Sequence, residues 1–203
     1  MEIHAIVFDF DGTLIDSNQL KYNAYFSLFP PDERHITTIR AVLSEIFEQS
    51  RYVILEEICR RLGGREGGLP ENRVRTLAGR YNRIVLEGAK LCPEKPGAEK
   101  ALERLASEYD LYVSSTTPEN ALKEILQFRE WEGYFRGIFG FPHEKSDTLR
   151  RIMALENLKN HQVLVVGDGE SDRISAMENG CRFLQVTETF CFEELDRILE
   201  KHD

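Results

Sequence analysis

Ile6-Val7-Phe8-Asp9-Phe10-Asp11-Gly12-Thr13 is an apolar run that closes on two carboxylates, an expensive place for charge. Residues i and i+2 of a strand share a face, so Asp9 and Asp11 turn to one pocket while Phe10 turns to the other side. Gly12 then lets the backbone bend sharply. Two like charges this close raise each other's pKa or demand a cation, so the pair predicts a metal, a shared proton, or both.

Three further apolar runs, at residues 111–113, 163–166 and 183–186, are each followed by a turn and a helical pattern. Residues 137–139 add a short strand. Helices fit between these runs, at about 97–107, 118–128, 145–156 and 171–179. This alternation predicts an α/β fold, a Rossmann-like parallel sheet wrapped by helices. Thr117-Pro118-Glu119 supplies a capping residue, a first-turn proline and a first-turn acid, and Gly180 a stop.

Residues 17–92 break the alternation with helical patterns and no convincing strand. Ile36, Ile39, Leu43, Ile46 and Phe47 form one stripe. Val53, Leu55, Ile58, Cys59 and Leu62 form a second, and Leu77, Tyr81, Ile84 and Val85 a third. The expected organisation is a sheet domain of residues 1–16 and 93–203, interrupted by an all-helical insertion over 17–92. The glycine-rich run at residues 63–68 reads as a flexible connection between two of the inserted helices.

The 203 residues are enough for a sizeable core, and 41% hydrophobic with 30% charged residues reads as soluble and globular. No stretch approaches a membrane span and no signal segment precedes the first strand, so the expected address is cytoplasmic. Cys59, Cys92, Cys181 and Cys191 lack metal-site spacing and read as scattered thiols. A formal net charge of −9 opposes nucleic-acid binding. No obligate protein partner is evident.

In open parallel sheets, ligands bind beyond the carboxyl ends of the strands. Those ends carry Asp9 and Asp11, then Ser115, Thr116 and Thr117, then Asp168, Glu170 and Asp172, while Lys145 opens a helix after the short strand. Singly, each has an ordinary explanation as turn, cap or solvated surface. Jointly, acids at the ends of two strands with a hydroxyl and a lysine at two others point to a catalytic site.

In these residues the chain resembles the haloacid dehalogenase superfamily of phosphohydrolases, in its phosphoglycolate phosphatase-like subgroup. The four signature elements have counterparts in order: Asp9-Phe10-Asp11-Gly12-Thr13, Ser115, Lys145, and Gly167-Asp168-Gly169-Glu170-Ser171-Asp172. The resemblance implies that the helical insertion is a cap domain. It implies that Asp9 is the nucleophile, forming an aspartyl-phosphate, and that Asp11 is the acid and base. It implies Mg²⁺ held by the Asp9 carboxylate, the Asp11 backbone carbonyl and Asp168, with Asp172 joining directly or through water. Ser115 and Lys145 would hold the phosphoryl oxygens. Similarity to family members that carry a proline three residues on, as Pro118 stands here, favours Ser115 over Ser114 or Thr116 in that role.

Asp11 argues against the family's dehalogenases and phosphonate-cleaving enzymes, which lack aspartate at that position. Family mutases typically carry a histidine near the place of Lys21, which argues against a phosphosugar mutase. A binding module without turnover is the remaining alternative, although no acid and no lysine is missing. The expected partner is a small phosphorylated metabolite, with Thr116, Lys21 and Arg51 as candidate substrate contacts.

Overall fold

The structure, a computed structural model, describes residues 2–47, 49–63 and 71–200. After the first strand, β1 (Ala5–Phe8), the chain passes through α1 (Asn18–Phe26), α2 (Glu33–Ile46), α3 (Arg51–Gly63) and α4 (Glu71–Leu91). It continues as α5 (Ala98–Leu105), β2 (Asp110–Pro118), α6 (Glu119–Phe128), β3 (Gly137–Phe141), α7 (Lys145–Leu155), β4 (Val163–Gly167), α8 (Glu170–Asn179), β5 (Arg182–Gln185) and α9 (Phe192–Glu200). Within the described residues the chain divides into two compact units. One runs to Ser17 and resumes at Lys90; the other is Asn18–Ala89.

The first unit holds five parallel strands in the order β3-β2-β1-β4-β5, which bears out the expected α/β class. β1 takes the centre because all four of its side chains are apolar and buried, the composition of a strand covered on both faces. Phe8 pairs with Val113 on one side and Val166 on the other. Ala5 and Val7 pack with Tyr112, Leu149, Ile152, Val163, Val165 and Ala176, so α7 and α8 cover that face. Phe8 points to the opposite face, where its ring lies 6.1 Å from that of Phe192 in α9. Fully burying such a side chain contributes about 1.5–3 kcal/mol.

The chain builds outward from β1 through β2 to β3, then returns to lay β4 on the other side of β1. That reversal creates a switch point between β1 and β4, where strand ends open a crevice. Gly12 follows β1 in the left-handed region at φ 79°, and Gly180 ends α8 in the same region at φ 66°.

The second unit has a core of its own. Ile39, Val42 and Leu43 of α2, Ile54, Leu55, Ile58 and Cys59 of α3, and Leu77, Tyr81 and Val85 of α4 are buried together with Tyr25 and Leu28. Ile46, Phe47, Leu62 and Ile84 pack against them. Val53 departs from its expected stripe and is 44% exposed, because Ile54 occupies the buried face at that level of α3. Gly63 ends α3, and the rest of the glycine-rich run lies outside the described residues.

Two elements exceed the expectation. β2 extends through Pro118, five residues past Val113, with a register shift against β3 between Ser114 and Pro118. α9 went unanticipated, although Phe192, Leu195 and Leu199 supply the apolar face it buries. Among the described residues no helix is long and apolar enough to cross a membrane.

Candidate active site

β1 ends at Phe8, but the Asp9 N–H still donates to the Val166 carbonyl at 2.8 Å, so the next residue stays tied to the β4 side of the switch point. Asp9 and Asp11 are each 6% exposed, and Phe10 between them is fully buried. The two carboxylates enter different environments. Asp9 Oδ1 lies 3.0 Å from Lys145 Nζ, which also donates to Asp172 Oδ1 at 2.7 Å. Asp11 instead accepts hydroxyls: Ser17 Oγ donates to Oδ1 at 2.7 Å and Thr117 Oγ1 to Oδ2 at 2.7 Å, with Ser115 Oγ 3.5 Å from Oδ2.

Lys145 is the first residue of α7 and Asp172 sits in the first turn of α8, so both come from helices packed on the same face of the sheet. Asp172 Oδ2 accepts the Gly169 N–H at 3.3 Å, which ties the carboxylate to the loop leaving β4. Thr13 Oγ1 lies 3.4 Å from Asp168 Oδ1. One oxygen from each of Asp9, Asp168 and Asp172 falls within 4.8 Å of the others.

Burial pushes the Asp9 carboxyl up to about 8; Lys145 opposes the rise, while Asp172, Asp168 and Asp11 add to it. Burial raises Asp172 as well, again against the pull of Lys145. Burial works against the charge on Lys145, yet Asp9 and Asp172 outweigh it and hold the ammonium above its ordinary value. Lys145 supplies one positive charge against three converging carboxylates, and all the donors are hard oxygens. The set therefore fits a divalent cation such as Mg²⁺.

The remaining sequence candidates are Ser115, Thr116, Lys21 and Arg51. Ser115 is buried and its Oγ accepts the Thr117 N–H at 3.1 Å, whereas Thr116 is exposed. Lys21 lies on α1 of the helical unit. Arg51 opens α3, where it donates to Asn82 and stands 5.9 Å from the Tyr81 ring centroid.

Thr117 corrects the sequence reading. Expected to cap α6, its hydroxyl is bonded to Asp11 instead; α6 starts at Glu119 with Pro118 as its N-cap and no side-chain cap bond. Ser17 was absent from the expected site, while Thr13 and Thr117 stood in the strand-end segments without a role assigned to them. The i, i+2 spacing of Ser115 and Thr117 on β2 was the available signal, because it puts both hydroxyls on one face.

Gly167, the last residue of β4, is where the Asp172 side chain crosses the backbone. A Cβ there would sit 2.4 Å from Asp172 Cγ and 2.6 Å from Oδ2. Gly167→Ala is expected to push Asp172 off Lys145, lowering stability by about 1–3 kcal/mol by overpacking. Thermal melts with kcat measured alongside check it. Wild-type values for both would mean that Asp172 has a second position of equal quality.

The family profile described as haloacid dehalogenase-like hydrolase matches residues 6–186. The chain belongs to that family. A phosphoglycolate phosphatase from Cereibacter sphaeroides is 27% identical over 191 residues, covering 91% of this chain and 85% of that protein. Among solved structures, the HAD-family protein YfnB from Bacillus subtilis, bound to magnesium, superposes with a TM-score of 0.75 at 17% identity, covering 98% of this chain and 100% of that one. A Thermotoga maritima protein named as a β-phosphoglucomutase gives 0.72 at 19% identity, covering 98% and 99%. These two likenesses show the fold. The family and the enzyme class expected from the strand-end residues, a phosphatase-type hydrolase, are borne out.

Proposed function

We propose that the protein is a magnesium-dependent phosphatase that hydrolyses a small phosphorylated metabolite through an aspartyl-phosphate on Asp9. The observation that carries this reading is the division of the two neighbouring carboxylates. Asp9 lies with Lys145 among the converging acids, and Asp11 lies on neutral hydroxyls. A nucleophile must be ionised and a general acid must hold a proton. Burial holds Asp9 at about 8, so its ionisation would rest on Lys145 and a bound cation, which the position of its side chain provides and that of Asp11 does not.

On this reading an Asp9 oxygen attacks phosphorus while the bond to the leaving oxygen breaks, and Asp11 gives that oxygen its proton. Water then attacks the aspartyl-phosphate, the bond from phosphorus to Asp9 breaks, and the water proton returns to Asp11. Lys145 faces Asp9 and would neutralise the phosphoryl oxygens, with the Ser115 hydroxyl as a further donor. The Asp9 carboxylate, the Asp11 backbone carbonyl, Asp168 and Asp172 would hold the magnesium. Bound there, it supplies the charge neutralisation that lets a phosphate dianion approach these acids.

The phosphatase names of the relatives support the reaction class, and the magnesium of the YfnB structure supports the cation. The helical unit, Asn18–Ala89, would act as the cap, with Lys21, Arg51 and Thr116 as candidate substrate contacts. We place the enzyme in the cytoplasm. Mutase activity is the second reading, raised by the Thermotoga maritima likeness and opposed by the resemblance, since family mutases typically carry a histidine near the place of Lys21.

A screen of phosphorylated metabolites and an aryl phosphate, with and without a chelator, tests the proposal. Hydrolysis is expected to stop with the chelator and to return with Mg²⁺. Equal rates in both conditions would remove the metal, and phosphoryl transfer between sugar phosphates without release of phosphate would favour the mutase.

A further inference from the structure

Thr117 is the last residue but one of β2 and stands two residues before α6. The N-cap of α6 is Pro118, so Thr117 lies one residue outside the position whose side chain caps the helix. Here the hydroxyl turns inward, is 7% exposed as part of a buried residue, and donates to Asp11 Oδ2 at 2.7 Å. α6 begins without a side-chain cap bond. The hydroxyl's partner is thus a carboxylate 106 residues earlier in the chain.

The backbone around Thr117 is held in place from two sides. Its N–H donates to Ser115 Oγ at 3.1 Å, closing the strand end. From the β3 side, Gly140 approaches so closely that a Cβ there would lie 2.6 Å from the Thr117 carbonyl and 2.4 Å from Glu119 Cα. The hydroxyl is therefore presented from a fixed frame. Ser17 holds the other oxygen of Asp11 at 2.7 Å, so each carboxyl oxygen has a hydroxyl donor and the plane of the group is set.

We infer that Thr117 is a positioning residue whose hydroxyl fixes the Asp11 carboxyl in the orientation from which it exchanges protons with the leaving oxygen and with water. This rests on the roles proposed above for Asp9 and Asp11. Losing the hydroxyl frees the carboxyl to rotate and lowers the fraction of time it faces the reacting oxygen. The defect should fall on proton transfer and leave substrate binding nearly unchanged.

Thr117→Val keeps the shape and removes the hydroxyl, while Thr117→Ser keeps the hydroxyl and removes the methyl. Both are compared with the wild type and Asp11→Asn by rapid quench, using a Mg²⁺-loaded enzyme and an aryl phosphate whose leaving group needs little protonation. The expected result for Thr117→Val is a burst of phenol, then steady turnover slowed roughly 10- to 100-fold at near-constant KM, a part of the full acid–base contribution. Thr117→Ser should recover to within about three-fold of the wild type. Asp11→Asn should show the same pattern more severely.

Wild-type behaviour of Thr117→Val beside a slow Asp11→Asn would overturn the inference and leave the proposed function standing. An equal loss in Thr117→Ser would also overturn it, since the methyl would then be the part that matters. Normal turnover of Asp11→Asn together with no trapped phosphoenzyme in the wild type would sink the proposed function itself, and the inference with it. Thr117→Ala repeats the measurement should the valine variant fail to fold.

Discussion

Asp9→Asn is expected to reduce phosphatase turnover by roughly four orders of magnitude or more while the fold survives, the scale of loss when the nucleophile of a catalytic unit is removed. The side chain keeps its size in a position that is 6% exposed, so the packing of β1 is untouched. Rapid quench should show no burst, in contrast to Asp11→Asn. A second consequence follows from burial, which raises the metal-free Asp9 carboxyl from its ordinary 3.8 to about 8. The folded state then binds this proton more tightly than the unfolded chain. Its stabilising contribution is complete below pH 3.8 and is lost progressively as pH rises towards 8. Asparagine is neutral throughout, so the metal-free variant should gain stability relative to the wild type as pH is raised across that window. Denaturant titrations at pH 4 and pH 8 measure the difference. Unchanged turnover would remove Asp9 as nucleophile, and a variant that loses stability relative to the wild type at pH 8 would contradict the burial account.

The sheet was legible because strands buried on both faces must be written as unbroken apolar runs, and Ala5–Phe8 and Val163–Gly167 are such runs. The helical unit was legible for a related reason: its stripes repeat at helical spacing and end in a core of Ile39, Leu43, Leu55, Ile58 and Tyr81. Val53 misled because stripe membership at an edge is decided by which neighbour fills the core, and Ile54 does so. α9 was missed because its face of Phe192, Leu195 and Leu199 is short and follows the turn-like run Thr187-Glu188-Thr189.

At the site, residue types at strand ends were readable but their pairing was not. The order β3-β2-β1-β4-β5 brings Asp9, Lys145 and Asp172 within hydrogen-bonding distance, and that order is a property of the crossovers rather than of any one segment. Thr117 was hidden for a different reason. Its sequence neighbours, Pro118 and Glu119, describe a helix start, and a local cap is the default use of such a hydroxyl. Only the three-dimensional placement of Asp11 shows the competing acceptor.

Lys145→Met tests the electrostatic frame in the metal-free protein. The lysine side chain is 10% exposed and lies 3.0 Å from Asp9 and 2.7 Å from Asp172, whose own side chains are 8% and 3% exposed. Methionine fills a similar volume but leaves two buried carboxylates facing each other without the ammonium. Breaking a buried pair in this way costs about 3–5 kcal/mol. For a chain of this length that corresponds to a fall in Tm of about 10 °C. The cost should shrink in acid, because protonated Asp9 and Asp172 no longer repel, and grow as pH rises and both ionise. Added Mg²⁺ should return part of the lost Tm, since a cation among Asp9, Asp168 and Asp172 replaces some of the missing positive charge. On the proposed mechanism kcat should remain depressed by roughly 10²- to 10³-fold even with the metal restored, because the phosphoryl oxygens lose a charged donor aimed at them. Melting curves at pH 5 and pH 8, with and without Mg²⁺, separate these effects. A variant as stable as the wild type at pH 8 without metal would mean that Asp9 and Asp172 find other partners, and Lys145 would then lose its place as the charge that holds the acids together.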